Sequence, residues 1–210
     1  MAEHDRRTDR LRRRWDRMSS SYDGTMTRAD QRFFGDTRQW VCAQATGEVL
    51  EVAVGTGLNL PHYPADVRLT GVEFSPGMLA LARRRAADLG LPADLREGDA
   101  QALDLPDAAY DTVVCTFSLC AIPDHRKALA EMSRVLRPGG LLLLADHVAA
   151  KPWPVRAVQW LADLVSIPLA GEHWRRRPIR DVEALGFPIE RHDRFRMGIV
   201  ERLAARKPRS

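Results

Sequence analysis

The chain has 210 residues, of which 45% are hydrophobic and 29% charged, and this composition is typical of one globular domain. Its three cysteines, Cys42, Cys115 and Cys120, are odd in number and lack C-x-x-C spacing, which excludes a disulfide framework and a zinc ribbon. No secretory signal and no apolar run of about 20 residues is evident. We therefore expect a cytoplasmic protein that does not span a membrane.

The net charge of +4 and the pI near 9.3 suggest a nucleic-acid or membrane partner, but the charge is unevenly distributed. Residues 1–32 carry nine Arg against six acidic residues. Residues 33–150 carry ten basic residues against fifteen acidic ones, and residues 151–210 carry thirteen against seven. An acidic middle thus lies between two basic ends. Arginine-rich codon usage is an alternative explanation of those ends.

The first predicted element is an amphipathic helix. Leu11, Trp15, Met18 and Tyr22 recur at steps of four, three and four residues, which places them on one helical face, and arginines occupy the other faces. The run Ser19-Ser20-Ser21 predicts that the helix loosens there.

Alternating strands and helices follow between residues 48 and 147. Predicted strands are 48–53, 67–72, 93–97, 111–116 and 141–147, and predicted helices are 76–89 and 124–136. This alternation is typical of βα units around a parallel sheet. In the last third, we predict a helix over 152–169 that Pro168 terminates and a short helix over 180–185. A closing hairpin over 189–195 and 199–205 follows.

A ligand site is indicated where the first three strands end. The run Val54-Gly55-Thr56-Gly57 forms a glycine turn after a buried strand, at the sheet edge where ligands bind. Glu73 ends the second strand, where a carboxylate can accept both hydroxyls of a ribose, and Asp99 follows the third strand, where it can accept from an adenine amine. Leu60 stands where a dinucleotide fingerprint requires glycine, which counts against a nicotinamide enzyme.

The order of glycine turn, acid, acid and Leu136-Arg137-Pro138-Gly139-Gly140 resembles the motifs of class I S-adenosylmethionine-dependent methyltransferases over about residues 15–205. The resemblance implies an α/β, Rossmann-like, doubly wound seven-stranded sheet with an antiparallel last strand. One departure is that Ala53 and Val54 replace the usual Gly and Cys of the first motif. The resemblance also implies that the cofactor S-adenosyl-L-methionine contacts Glu51, Ala53, Gly55, Thr56, Gly57, Asn59, Glu73, Phe74, Met78, Asp99, Ala100, Thr116 and Phe117.

The acceptor is less well defined by the sequence. Cys115-Thr116-Phe117-Ser118 stands where amino methyltransferases of nucleic acids carry an Asp/Asn-Pro-Pro-aromatic motif, so we expect no nucleic-acid partner. The run 54–64 resembles bacterial phosphatidylethanolamine N-methyltransferases, and runs 118–123, 146–148 and 171–173 are similar to membrane-associated thiol methyltransferases. We predict a lipid-like acceptor, with a phosphatidylethanolamine-type amine as the leading hypothesis. The alternative is N-, O-, S- or C-methylation of a soluble metabolite, quinone or natural product.

Three residues are candidates for accepting a proton or orienting the acceptor: Tyr22, His147 and His173. We expect no metal. Residues 6–18 are predicted to contact an anionic membrane at its inner face, with the alternative that this helix only covers the cofactor. Trp153 and Trp160 belong to a second apolar segment, for which three roles remain open: a membrane contact, a wall of the acceptor pocket, or packing in the core. The run Arg175-Arg176-Arg177 is predicted either to bind a phosphate or to form a solvated turn. The predicted layout is one domain over 1–210, with a basic helical lid (1–40), a cofactor core (41–150) and acceptor-side helices with the closing hairpin (151–210).

Overall fold

The structure is a computed structural model that describes residues 2–209, without the side chains of residues 2–8, 31, 169 and 170. Its helices are α1 (Ala2–Ala29), α2 (Thr37–Cys42), α3 (Pro76–Asp88), α4 (His125–Val135), α5 (Trp153–Ala170) and α6 (Pro178–Ala184). A π-helical segment (Asp30–Phe34) follows α1, and a short 3-10 helix (Leu60–His62) precedes the second strand. The strands are β1 (Glu48–Val52), β2 (Arg68–Glu73), β3 (Ala93–Glu97), β4 (Tyr110–Thr116), β5 (Leu136–His147), β6 (Ile189–Phe195) and β7 (Val200–Arg206).

The seven strands form one sheet in the order β3-β2-β1-β4-β5-β7-β6. The first five are parallel to one another, and β7 pairs antiparallel with both β5 and β6. The predicted seven-stranded sheet with an antiparallel last strand is therefore confirmed. The strand order reverses between β1 and β4, and ligands of doubly wound sheets bind beside such a reversal.

Both faces of the sheet are covered, which explains why its central strands read as continuous apolar runs. One apolar cluster includes Leu50, Leu129, Met132 and Leu142, and the other includes Val49, Leu79, Val114 and Leu143. Adjacent residues of one strand thus enter opposite layers, as the two-residue period of a strand requires.

Local signals fix the two helices beside the cofactor strands. Ser75 caps α3 by accepting a hydrogen bond from the Met78 amide at 3.3 Å, with Pro76 in the first turn. Asp124 caps α4 in the same way through the Lys127 amide at 3.0 Å. These caps place the start of each helix at the carboxyl edge of the sheet.

Two predicted helix features are wrong. Helix α1 continues through Ser19-Ser20-Ser21, because the Ser19 and Ser21 hydroxyls donate to the carbonyls of Asp16 and Met18 within the helix. Helix α5 contains Pro168 and ends at Gly171, which adopts a left-handed φ of 69° and donates its N–H to the Ile167 carbonyl. Within the described residues, no helix combines the length and the apolar composition that crossing a bilayer requires.

Candidate active site

A cleft opens at the carboxyl edge of β1 to β4, between the strand ends and the long helix α1. Eleven of the thirteen predicted cofactor residues line it: Glu51, Ala53, Gly55, Thr56, Glu73, Phe74, Met78, Asp99, Ala100, Thr116 and Phe117. The two remaining residues, Gly57 and Asn59, lie directly behind the lining and support it. The sequence motifs therefore converge on one cavity.

The turn after β1 depends on left-handed backbone at alternate positions. Ala53, Gly55 and Gly57 have φ values of 58°, 59° and 81°. A Cβ at Gly55 would meet nothing within 4 Å, so this residue leaves space beside the cleft. A Cβ at Gly57 would lie 2.7 Å from Leu60 and 3.2 Å from the Cα of Ala82, so Gly57 permits the turn to pack against α3.

Asn59 organises the inner end of the cleft although it does not line it. Its amide donates to Glu51 at 2.7 Å and to the Thr116 hydroxyl at 2.9 Å, while Tyr63 donates to the other Glu51 oxygen at 2.9 Å. Burial raises the pKa of Glu51 to about 7, and the Tyr63 and Asn59 hydrogen bonds partly oppose that rise. Asn59 thereby couples the ends of β1 and β4.

Backbone amides fix the second acid, Glu73. One oxygen of Glu73 accepts the Gly55 N–H at 3.0 Å and the other accepts the Ser75 N–H at 2.9 Å. Burial raises the pKa of Glu73, although these amides favour the carboxylate. The carboxylate is therefore held rigidly in the cleft wall, and each oxygen retains capacity to accept a further hydrogen bond.

Asp99 is held by its neighbour Gln101. The Gln101 amide donates to Asp99 at 2.9 Å, and the side-chain amide of Gln101 donates to both carboxylate oxygens at 3.1 Å. The Gln101 oxygen in turn accepts the Asp124 N–H at 2.9 Å. This chain of bonds links the acid after β3 to the beginning of α4.

Helix α1 forms the roof of the cleft. Leu11, Trp15 and Tyr22 line the cavity, and the Trp15 and Tyr22 rings meet edge-to-face with centroids 6.1 Å apart. The apolar stripe predicted on this helix therefore faces the cleft. Consequently, the expectation that the stripe of residues 6–18 dips into a membrane is not supported; Arg6 and Arg7 lie outside the residues with described side chains.

Two aspartates of α1 fasten this roof to the domain. Asp16 accepts the Ser75 hydroxyl at 2.6 Å and the Gly77 N–H at 3.0 Å, at the beginning of α3. Asp23 accepts the Thr56 hydroxyl at 2.5 Å and pairs with Arg85. Neither anchor has a spacing signal in the sequence, because the partners lie 33 to 62 residues away.

Arg38 also lines the cleft, although it is not among the residues predicted from the sequence. It donates to Asp30 at 2.8 Å and to the Asn59 oxygen at 2.9 Å, and its guanidinium lies 5.0 Å from the centroid of the Phe117 ring. Phe117 has a left-handed φ of 52° and stacks on Phe34 at 4.2 Å. Arg38 belongs to the short helix before β1 and has no motif that marks it in the sequence.

The two candidate histidines do not line the cleft. His147 packs against Trp174 in a tilted arrangement with ring centroids 4.6 Å apart, and its Nδ1 lies 3.4 Å from Asp146. His173 donates its backbone N–H to the Cys120 carbonyl at 2.9 Å. Of the three predicted catalytic candidates, Tyr22 alone contacts the cavity; burial raises the pKa of its hydroxyl, which therefore stays protonated.

Cys120, Asp146 and His147 place three metal-ligand atoms within 4.8 Å of one another. Asp146 accepts the backbone N–H groups of Cys120 at 3.0 Å and of His147 at 2.8 Å. Burial also raises the pKa of the Cys120 thiol and so disfavours the thiolate that a metal requires. We interpret the cluster as a hydrogen-bonding group that supports the end of β5.

Two of the three consecutive arginines have structural partners that argue against the predicted phosphate grip. Arg175 donates to the buried Asp163 at 2.6 Å. Arg176 donates to the carbonyls of Leu119, Ile122 and Pro123, in the loop that forms the acceptor side of the cleft. Arg176 therefore holds that loop in place.

The charges of the cleft suit a cationic ligand that carries one anionic group. Glu51, Glu73 and Asp99 contribute acids from three successive strands, and Arg38 is the cation among the described lining residues. S-adenosylmethionine has a sulfonium, an ammonium and a carboxylate, together with an adenosine whose hydroxyls and amine donate hydrogen bonds. The residues present therefore fit this cofactor in number and in sign.

Comparison with known proteins gives the same assignment. The family described as "Methyltransferase domain" matches residues 50–144. A phosphatidylethanolamine N-methyltransferase from Cereibacter sphaeroides is 44% identical over 115 residues, covering 54% of this chain and 57% of that protein. A demethylmenaquinone methyltransferase from Renibacterium salmoninarum is 36% identical over 162 residues, covering 73% of this chain and 65% of that protein.

The chain thus spans less than two thirds of the length of either relative. Among solved structures, an S-adenosylmethionine-dependent methyltransferase from Methanosarcina mazei superposes with a TM-score of 0.61 at 23% identity. That superposition covers 78% of this chain and 93% of the other, and it shows a shared fold.

Proposed function

We propose that the chain is an S-adenosylmethionine-dependent methyltransferase that transfers the methyl group to the amine of a phosphatidylethanolamine-type lipid. The identity with the Cereibacter sphaeroides phosphatidylethanolamine enzyme carries this proposal. The cleft supports it, because its acceptor side combines the aromatic rings of Trp15, Tyr22 and Phe117 with an apolar loop over 121–123. Aromatic faces stabilise the ammonium that amine methylation produces.

We assign the cofactor contacts as follows. Glu73 accepts the ribose hydroxyls, and Asp99 with the Ala100 amide binds the adenine, which lies against Phe74 and Met78. The turn over 53–57 and Thr116 border the methionine portion. Glu51 faces the ammonium and Arg38 the carboxylate, which gives each of these two charged groups a partner of opposite sign.

The bound cofactor supplies an already activated methyl group, so the protein mainly has to align the acceptor. Phe117 and Tyr22 both line the cavity. The protonated Tyr22 hydroxyl can donate a hydrogen bond to an acceptor oxygen or accept one from its amine. The described lining contains no histidine, lysine or cysteine. In this proposal the lipid amine therefore binds uncharged, having lost its proton to water, and the protein excludes water and orients the lone pair.

We further propose that the chain acts as one domain, with residues 1–40 as the lid, 41–150 as the cofactor core and 151–210 as the acceptor side. The anchors Asp16 and Asp23 support the role of the lid, because they fasten α1 across the cleft.

A quinone is the second candidate acceptor, and the similarity to the Renibacterium salmoninarum enzyme over 73% of this chain favours it. A flat ring could stack on Phe117, next to the Arg38 guanidinium, which would stabilise a phenolate oxygen. In this case the methyl group would be transferred to carbon.

One assay separates the two acceptors. Purified protein is incubated with methyl-labelled S-adenosylmethionine and either vesicles of phosphatidylcholine with phosphatidylethanolamine or detergent-dispersed demethylmenaquinol. We expect label in methylated phosphatidylethanolamine, at a rate that rises with pH as the amine deprotonates. Label in the quinone alone would replace the proposed acceptor, and label in neither would reject both. Glu73→Gln, assayed at a low cofactor concentration, serves as the low-activity control.

A further inference from the structure

Helix α5 is inverted with respect to an ordinary surface helix, since its apolar side faces solvent. Trp153, Val158, Trp160, Leu161, Leu164 and Val165 are between 49% and 72% exposed. We call these six residues the α5 face. Helices of globular domains normally bury such a stripe, and exposed apolar patches of this kind mark interaction sites.

The opposite side of α5 is polar and buried, and it attaches the helix to the domain. Gln159 accepts the Ala150 N–H at 2.8 Å and donates to the carbonyls of Val148 at 2.9 Å and Trp174 at 3.2 Å. Asp163 accepts the Trp174 N–H at 2.8 Å and pairs with Arg175. The orientation of α5 is therefore set by specific hydrogen bonds, and rotating the apolar face inward would break them.

The charges around the α5 face are basic. Lys151 and Arg156 are exposed at its amino end. The Lys151 N–H donates to the carbonyl of Met197 in the β6–β7 turn, so the exposed side chains of Arg196 and Met197 lie in the same region. The only acid among residues 151–168, Asp163, is buried and paired. A second copy docked symmetrically on this face would bring like charges together, whereas an anionic lipid surface would complement them.

The carboxyl end of α5 adjoins the cleft. A Cβ on Gly171 would lie 2.9 Å from the Leu11 side chain, and Leu11 lines the cavity. Exposed Arg10 and Arg13 flank Leu11 on α1. The apolar face thus runs from a basic amino end to the rim of the site beneath α1.

We propose that the α5 face docks on an anionic phospholipid bilayer, with Lys151, Arg156 and Arg196 at the headgroups and the two tryptophans in the interface. Docking in this orientation places the cleft rim beside the bilayer, so a lipid acceptor can enter without crossing water. This inference rests on the proposed lipid acceptor for its purpose, but vesicle binding is measured without any catalysis. Of the two segments for which the sequence left membrane contact open, residues 6–18 and the apolar segment with Trp153 and Trp160, the proposal selects the second.

The test is co-sedimentation of the full chain with vesicles of phosphatidylcholine containing about one third phosphatidylglycerol. We expect Leu161→Ser/Leu164→Ser to weaken partitioning at least ~10-fold, since each leucine buried from water contributes more than 1.4 kcal/mol, the equivalent of a factor of ten. Lys151→Glu/Arg156→Glu should bind weakly and lose its salt dependence. Leu89→Ser/Leu185→Ser is the matched control, because it removes two exposed leucines elsewhere and should bind as the wild type does.

Three results would overturn the proposal. The first is no vesicle binding by the wild type, and the second is equal binding by the face variant, Leu161→Ser/Leu164→Ser, and the leucine control. The third is a wild-type protein that does not bind vesicles but sediments as a dimer, when the face variant alone sediments as a monomer. Short-chain, monomeric phosphatidylethanolamine separates docking from acceptor identity. Leu161→Ser/Leu164→Ser should methylate this short-chain lipid at the wild-type rate but lose activity on phosphatidylethanolamine in vesicles. Vesicle binding without methylation of any phosphatidylethanolamine would reject the proposed acceptor and leave the docking surface standing.

Discussion

The assignment of Glu73 to the ribose makes a quantitative prediction for Glu73→Gln. Each hydrogen bond to a charged acceptor contributes about 1.5–3 kcal/mol. The substitution removes the charge and leaves one oxygen, so we expect the loss of one such bond, about 1.5–3 kcal/mol, together with a weakening of the other. S-adenosylmethionine should therefore bind roughly 10- to 150-fold more weakly.

Structural damage has to be separated from this loss, because Glu73 also accepts the Gly55 and Ser75 N–H groups. Gln keeps one of these acceptors, so thermal unfolding should show a folded protein with a modestly lower Tm. Titration calorimetry with S-adenosylmethionine and with S-adenosylhomocysteine measures the affinity, since the two ligands share the ribose. Asp94→Asn, an exposed acid of β3, is the control and should bind normally. A dissociation constant within threefold of the wild type would refute the ribose assignment.

Three further predictions concern the cleft and its lid. Burial raises the pKa of Glu51 to about 7 in the folded state, so the native protein binds more protons than the unfolded chain between pH 4.5 and 7. The free energy of unfolding therefore falls as the pH rises through that window, by up to roughly 3 kcal/mol. Urea unfolding should find that Glu51→Gln removes this slope and is the more stable protein at pH 8; a retained slope would contradict it. Ala53→Gly should raise the free energy of unfolding by up to about 1 kcal/mol, because Ala53 has a left-handed φ of 58°, which glycine adopts without strain. The control Ala80→Gly, in the exposed middle of α3, should lower it by about 1 kcal/mol. Equal losses of stability at both sites would show that Ala53 is unstrained. Asp23→Asn should release α1 from the domain, which limited proteolysis would detect as faster trypsin cleavage within residues 2–29 and calorimetry as about tenfold weaker cofactor binding. The control, Asp9→Asn at an exposed position of α1, should change neither quantity. Cleavage as slow as in the wild type would show that Asp23 does not hold the lid.

The parallel core was predictable from the sequence because its signals are local. Strands β1 and β4 are apolar runs buried on both faces, and the glycine turn, Glu73 and Asp99 lie within three residues of the ends of β1, β2 and β3. Strands β3 and β6 have the predicted bounds, and the other strand bounds differ by a residue or two, apart from β5. Strand β5 begins at Leu136, where the predicted helix was still continuing, because the Tyr110–Leu136 pairing starts the strand before Pro138.

The residues that complete the site were not predictable in the same way. Arg38, Asp16 and Asp23 act through partners that are distant in sequence, so their roles depend on the folded positions of α1 and α2. His147 and His173 illustrate the converse. Each follows a strand or turn at a position that favours function, yet the structure directs His147 against Trp174 and ties His173 to the loop after β4.

Helices α1 and α5 show why periodicity alone misplaces an interaction surface. Both sequences contain an apolar stripe, and periodicity says only that such a stripe exists, not what covers it. On α1 the flanking acids Asp16 and Asp23 find partners on the domain and turn the stripe over the cleft. On α5 it is the polar Gln159 and Asp163 that find partners, and this turns the stripe outward. The hydrogen bonds of a few polar residues therefore decide which apolar face closes the site and which remains exposed to solvent.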